Sequence, residues 1–379
     1  MLFDFSGPAP RAKTLEEAQA LIDVLWKICG QMQTEITEHR AEQKQCPHCH
    51  CMNTANFPAE VSQSTQYGSG IKGLAIYLNQ YQFLPYERLQ EFFKDILGHR
   101  ISQGMLVKIN KQCYKKLAHV DEAIKSHLKA ANNLHHDETG LRVNGKMHWC
   151  HVASTAHVTH YGMHQKRGKI GLDTTGILPE FKGRLIHDFF KTYFSYDCKH
   201  GLCNAHHLRE LKFIEEEHQQ RWAKYMANLL LAINKQMDWH REHKLEVSPA
   251  RIAAYERCYD EILMEGLWHP DNIKREALKS GQRKQTKAKN LLDRLRFHRA
   301  EVLAFLYDLS VPFTNNQAEQ DIRMLKVKQK ISGCFRGEES PQWFARIRSY
   351  ISTANKQGQN ILAALQGVFT GNPFLPQSA

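Results

Sequence analysis

The 379-residue chain has no run of about 18 consecutive apolar residues, which excludes an ordinary membrane-spanning helix. Its start, Met1-Leu2-Phe3-Asp4, lacks the basic stretch and following apolar stretch of a secretory leader. A cytoplasmic protein with reduced thiols is therefore expected. No segment repeats along the chain. Cysteine is present, at ten residues, but poorly paired. Cys46-x-x-Cys49 is zinc-ribbon spacing, yet one such pair supplies two of the four ligands a structural Zn²⁺ takes. His48, His50 and Cys51 are the neighbours available to complete a site; the alternative is a half-motif with free thiols. Cys113, Cys150, Cys258 and Cys334 stand singly and read as buried small side chains.

What is present is a globular composition, 42% hydrophobic and 10% aromatic, long enough for two or three domains. The net charge is +12, and it is unevenly placed. Residues 273–299 hold ten Lys/Arg against two Asp/Glu, and 322–348 hold seven against two. Those two windows exceed the total, so the remainder is close to neutral. Patches of this kind suit a polyanion such as DNA, or else form a solvated basic face and loop.

Residues 1–60 read as a helical segment, with a stripe of Leu15, Ala18, Leu21, Ile22, Leu25 and Ile28 inside a helix over 14–45, followed by the partial zinc-ribbon-like knot. Residues 61–131 read as helices over 72–96 and 103–130, the second capped by Ser102, and are a candidate DNA-binding region. The pattern changes in 132–204. Leu134-His135-His136-Asp137 reads as a strand ending in a carboxylate, and Asn144-Gly145 as a hairpin turn. His148–Ala153, Val158–Tyr161, Gly183–Asp188 and Gly201–Cys203 read as further strands. Residues 205–300 form a helical insert with a basic linker over 270–290. A helix over Leu291–Leu309 leads from the insert into residues 301–335, the last segment of the expected catalytic core, which has a break at Pro312 and a helix over Gln317–Lys330 capped by Asn315-Asn316. Residues 336–379 close the chain as helix.

Three strands, a crossover and a fourth strand begin a ribonuclease-H-like fold. The expected class is α/β: a mixed five-stranded sheet, a long helical insert, and helical N- and C-terminal regions. In such a sheet the first and fourth strands are neighbours, so Asp137 and Asp188 converge, and Glu319 on a later helix packs beside them. A carboxylate trio of this kind suits two hard cations, Mg²⁺ or Mn²⁺, about 4 Å apart, which stabilise the attacking and leaving oxygens of a phosphodiester. Glu319, Arg323 and Lys326 share one helix face. Arg323 is placed to orient the carboxylate, and Lys326, Lys328 and Lys330 to touch DNA phosphate, as are Lys284, Lys287 and Lys289 of the linker.

Several stretches together resemble the insertion-sequence-66 family of transposases. They are His136-Asp137-Glu138-Thr139-Gly140, Trp149-Cys150-His151-Val152-Ala153-Ser154-Thr155, Gly183-Arg184-Leu185-Ile186-His187-Asp188, Cys203-Asn204-Ala205-His206-His207-Leu208-Arg209-Glu210-Leu211, and Asn315-Asn316-Gln317-Ala318-Glu319-Gln320-Asp321-Ile322-Arg323 continued by Lys326-Val327-Lys328-Gln329-Lys330. The ordered set spans roughly residues 60 to 368. The resemblance implies a DDE-type enzyme whose acids map onto Asp137, Asp188 and Glu319, acting on transposon ends and target DNA as a homo-oligomer, with element-encoded accessory proteins. It also implies a structural or DNA-related role for Cys203 and His206. The family's zinc-ribbon-like segment normally has a second Cys-x-x-Cys upstream, where this chain has only Cys29. The first forty residues do not resemble the family's N-terminal region, which is expected of a truncated or rearranged copy. Two alternatives compete with an active transposase: a structure-specific nuclease of the same core, and a non-catalytic DNA-binding remnant.

Overall fold

A computed structural model describes residues 36–58, 61, 66–273 and 283–377, and the short strand 276–277; at 276–277 and 283–284 it describes backbone alone. The 14–35 part of the expected N-terminal helix, with Cys29, lies outside the described residues. The rest of that helix is not formed. Residues 36–42 are irregular, and β1 (Gln43–Gln45) pairs antiparallel with β2 (Met52–Thr54). The Cys46–Cys51 knot is the tip of this hairpin, which cannot continue a helix because it closes on itself through Cys46 N–H to Cys51 C=O at 2.8 Å.

Four helices follow: α1 (Ser69–Ile76, extended by a wider turn to Tyr81), α2 (Tyr86–Leu97), α3 (Gln103–Lys116) and α4 (Ala118–Lys129). The expected break holds at Ser102, whose hydroxyl accepts the Met105 N–H. The sheet comprises β3 (Asn133–Val143), β4 (Lys146–Ser154), β5 (Thr159–His164), β6 (Arg184–His187) and β7 (Lys199–Leu202). Its order is β5-β4-β3-β6-β7, antiparallel across the first three and parallel from β3 to β6 to β7. The first and fourth strands are thus neighbours, as expected. Asn144 and Gly145, with φ of 47° and 78°, form the β3–β4 turn through two left-handed residues.

β3 does not end at Asp137. It runs six residues further to Val143, because Leu141 and Val143 have a core of their own to enter. Alternate residues of β3 face different partners. Leu134 points into the core built from α1–α4, while Leu141 and Val143 join Cys150, Val152 and Tyr161 on the other side.

The insert consists of α5 (Asn204–His218), α6 (Arg221–His243), α7 (Pro249–Leu267) and α8 (Lys287–Phe297). Leu211, Ile214, Trp222, Met226, Leu230, Leu291 and Leu295 bury one common core that reaches Ile186 and Leu202 of the sheet. The expected single helix over Leu291–Leu309 is instead three pieces, ending at Phe297, Val302 and Tyr307. The chain then enters α9 (Asn316–Ser332), α10 (Ser340–Lys356) and α11 (Ile361–Thr370). Ile351, Leu365 and Val368 of the last two pack with Ile76, Leu89 and Phe93, so the chain's end completes the N-terminal helical layer. Among the described residues no helix is long and apolar enough to cross a membrane. Cys113 and Cys150 are buried as expected, but Cys258 and Cys334 are exposed, because each lies on the solvent side of its segment.

Candidate active site

The β3–β6 register pairs Leu134 with Leu185 and His135 with Ile186. The ladder stops there: β6 closes at His187, and Asp188 follows it near enough to Asp137 for its charge to raise that carboxyl. Helix α9 packs Ile322 and Leu325 against Leu141 and Val143, which by alternation lie on the Asp137 face of β3. Lys326 Nζ and Gln329 Nε2 each donate to Gly140 C=O at 3.3 Å, fixing the helix along the β3 strand that carries Asp137. Glu319 occupies the first turn of α9, at the end of the helix dipole that favours an anion.

Asn315 locks this arrangement. It stands at the helix start, but its side chain caps nothing there. Instead its Nδ2 donates to His136 C=O at 2.9 Å, and its Oδ1 lies 2.9 Å from His135 Nδ1. With the amide nitrogen already a donor, Oδ1 must accept, so His135 carries its proton on Nδ1. Burial lowers the His135 pKa first of all, which keeps the ring neutral at physiological pH. The backbone N–H of Asn315 donates to Cys203 Sγ at 3.1 Å. One buried residue therefore ties the Glu319 helix to both the Asp137 strand and the β7–α5 junction. Asn315→Ala should lower stability by about 2 kcal/mol, since it leaves the buried His136 carbonyl unpaired. A urea midpoint indistinguishable from that of the parent would show that the bridge carries no weight.

Asp137 is held up to about 7. Burial is the main cause; the charges of Glu138, Asp188 and Glu319 add to it, and the Glu138 N–H, which donates to Asp137 Oδ1 at 2.8 Å, works against it. Glu319 Oε1 is buried without a hydrogen-bond partner, 3.7 Å from Arg209 Nη2. Asp188 Oδ1 accepts the Phe190 N–H at 3.1 Å. A group of acids short of positive charge suits a divalent cation. Among the described residues, the ligand atoms that lie within 4.8 Å of one another are those of Cys203, His206 and Glu319, not those of the three acids. A two-ion centre distributes its carboxylates over both ions, so a single shared distance is not required of them.

By strand alternation Glu138 leaves β3 on the other side from Asp137, although the Asp188 charge still reaches it. Its carboxylate accepts the Tyr193 hydroxyl proton and pairs with Arg167 at 2.7 Å, with only 1% of its side chain exposed. His136 Nδ1 lies 2.9 Å from the same hydroxyl. That hydroxyl proton goes to Glu138, so His136 donates to the Tyr193 oxygen. The Arg167–Glu138–Tyr193–His136 chain fills the space under β3, opposite Asp137.

Several expected roles need correction. Arg323 makes no ion pair among the described residues; the cation that faces Glu319 is Arg209 of α5, at 3.7 Å. Arg209 follows His206 by one helical turn, a spacing visible in the sequence but without meaning until α5 meets α9. Arg323, Lys326 and Lys330 are exposed along one side of α9. Lys328 instead rests over the Phe335 and Phe344 rings, 5.1 and 5.2 Å from their centroids, where burial lowers its ammonium to about 8. Lys289 is paired with Asp293, and Lys287 is exposed with its ammonium 4.4 Å from the Phe213 centroid. The Lys284 side chain lies outside the described residues. In the hairpin, the N–H groups of Cys49 and His48 lower the Cys46 thiol, as in half of a zinc knuckle. Among the described residues no third ligand closes on Cys46 and Cys49.

The family model described as "Transposase IS66 family" matches residues 64–342. No curated protein matches the chain. A match of this span covers helices α1–α4, the whole sheet, the insert and α9, and on that ground the chain belongs to the IS66 family of transposases.

Proposed function

We propose that this protein is a DDE-type transposase, with a ribonuclease-H-like core, that cleaves DNA at the ends of an insertion sequence and joins them to a target. Asp137, Asp188 and Glu319 are its catalytic acids and hold two Mg²⁺ or Mn²⁺ ions. The observation that supports this reading is the parallel β3–β6 pairing together with the charges of Asp188 and Glu319, which both reach Asp137. When bound, the two ions stabilise the attacking and leaving oxygens of an in-line displacement. The chain's own residues do the rest. Asn315 fixes the distance between strand and helix. Arg209 screens Glu319. Arg323, Lys326 and Lys330 extend a cationic edge from Glu319 along which a DNA backbone runs.

The substrate is DNA, both element ends and target, and joining two ends calls for a homo-oligomer assembled on DNA, with element-encoded accessory proteins as further partners. The cytoplasm, in association with the nucleoid, is where such a reaction takes place. The testing reaction supplies the full chain with Mg²⁺, a pre-cut duplex carrying the element's terminal repeat, and a supercoiled plasmid. Joined product is expected. Hydrolysis without joining would identify a nuclease of the same core, and binding without either reaction would identify a remnant.

DNA binding should be steeply salt-dependent, because each phosphate contact releases counterions. Replacing Arg323, Lys326 and Lys330 together by Ala should flatten the plot of log K against log salt by about one unit per lost contact. Lys289→Ala should barely move it, since that ammonium is already spent on Asp293. The reverse ranking in a fluorescence-anisotropy titration would shift the interface to the 287–297 helix.

A further inference from the structure

Cys203, His206 and Glu319 meet where β7 turns into α5, their ligand atoms within 4.8 Å of one another. Cys203 is buried, 1% exposed, directly before α5. Its sulfur accepts the Asn315 N–H at 3.1 Å, and the N–H groups of His206 and Ala205 also point to it. Burial raises the Cys203 thiol overall, and these N–H bonds work against that rise. The other two members are short of partners. His206 Nδ1 and Glu319 Oε1 are buried and accept or donate no hydrogen bond. The nearest cation to Glu319, Arg209, stands 3.7 Å away on a side chain 63% exposed, beyond hydrogen-bond reach, and its Nε donates to Ala205 C=O at 3.2 Å instead. Two orphaned buried polar atoms beside a buried sulfur are costly to maintain unless something fills the space between them.

Sulfur, imidazole nitrogen and carboxylate oxygen are not a set for Mg²⁺, which takes oxygen ligands in octahedral array. They suit a borderline-soft divalent ion, and three protein ligands leave its fourth tetrahedral position open. We infer that Cys203, His206 and Glu319 form a binding site for a divalent cation of the Zn²⁺ class, distinct in ligand chemistry from the two-ion centre and sharing Glu319 with it. The sharing rests on the catalytic reading of Glu319; the binding itself does not. Binding converts the Cys203 thiol to a metal-bound thiolate and releases its proton to solvent. It ties the first turns of α5 and α9 together beside Asp188, whose strand Cys203 grips through its N–H to His187 C=O at 2.9 Å.

Co²⁺ is the probe, because a thiolate ligand gives it a charge-transfer absorption in the near ultraviolet. The full chain carrying Cys46→Ser, Cys49→Ser and Cys51→Ser, which silences the hairpin thiols, is titrated under reducing conditions. One equivalent with a thiolate band is expected, displaced by Zn²⁺. Adding Cys203→Ser, whose hydroxyl still accepts the same N–H groups, should abolish the band while circular dichroism stays unchanged. His206→Gln should weaken binding by about tenfold or more. Absence of the band in the parent, or its survival in Cys203→Ser, overturns the site. Should Cys203→Ser not fold, an unchanged Co²⁺ affinity in His206→Gln overturns it equally. Glu319→Gln separates the two readings. Loss of joining with unchanged Co²⁺ affinity removes Glu319 from this site and leaves the catalytic role standing. Weakened Co²⁺ binding with joining intact does the opposite.

Discussion

Asp137→Asn, Asp188→Asn and Glu319→Gln should each cut Mg²⁺-dependent cleavage and joining by about a thousandfold or more, with the fold retained. The amide keeps the volume of the carboxyl group and removes the charge that holds a cation. A centre with three carboxylates has none to spare, so the three losses should be similar, and a double substitution should add little. Glu138→Gln is the control. It neighbours Asp137 in sequence but leaves the opposite face of β3, where Tyr193 and Arg167 hold it. A glutamine still accepts the Tyr193 proton and loses the charge opposite Arg167, so stability should fall while most activity survives. Single-turnover cleavage of a labelled end measures all four variants. Should Glu138→Gln be inactive and Asp137→Asn active, the metal-facing side of β3 would be the other one.

Raising the pH from 6 to 8 should strengthen Mg²⁺ binding steeply. The metal-free Asp137 carboxyl titrates at about 7, so below that pH a proton competes with the cation. The stability consequence has a definite sign. A carboxyl whose folded pKa lies above its unfolded value favours the folded state at low pH. That contribution is lost between the usual carboxylate value of 3.8 and about 7 as pH rises. The metal-free protein should therefore be less stable at pH 8 than at pH 5 on account of this group. Added Mg²⁺ should restore stability most at pH 8, where the carboxylate is ionised and can bind it. Melting scans with and without Mg²⁺ at several pH values test this. Asp137→Asn should remove both the pH-dependent loss and the Mg²⁺ gain; a Mg²⁺ gain that persists in this variant, or is larger at pH 6, would contradict the role given to Asp137.

The strands and the acids they carry were legible because their signals are local. Alternation, a Asn-Gly turn and an acid at a strand's level are written within a few residues each. The partner of a side chain is not. Asn315 reads as a helix cap, since Asn before a helix usually is one; only the packing of α9 on β3 turns its amide toward His135 and His136. Arg323 reads as the partner of Glu319 because i and i+4 are neighbours on a helix, whereas Arg209 comes from more than a hundred residues upstream. Lys328 reads as a DNA contact from its charge alone; its aromatic bed is assembled by Phe335 and Phe344 from beyond α9. Asp321, two residues from Glu319, is similarly decided by packing: Lys356 at 2.9 Å and the Thr159 hydroxyl at 3.1 Å make it an anchor between α9, α10 and β5. Local pattern sets the frame and the candidate acids, and tertiary contact decides which charge answers which.

The role proposed for Asp137, Asp188 and Glu319 is to hold divalent ions. Crystals of the full chain soaked in Mn²⁺ and measured for anomalous scattering test it most directly. Two peaks about 4 Å apart, ligated by those three carboxylates, are the predicted result. Mn²⁺ absent from Asp137 and Asp188, with any peak confined to other acids, would contradict it.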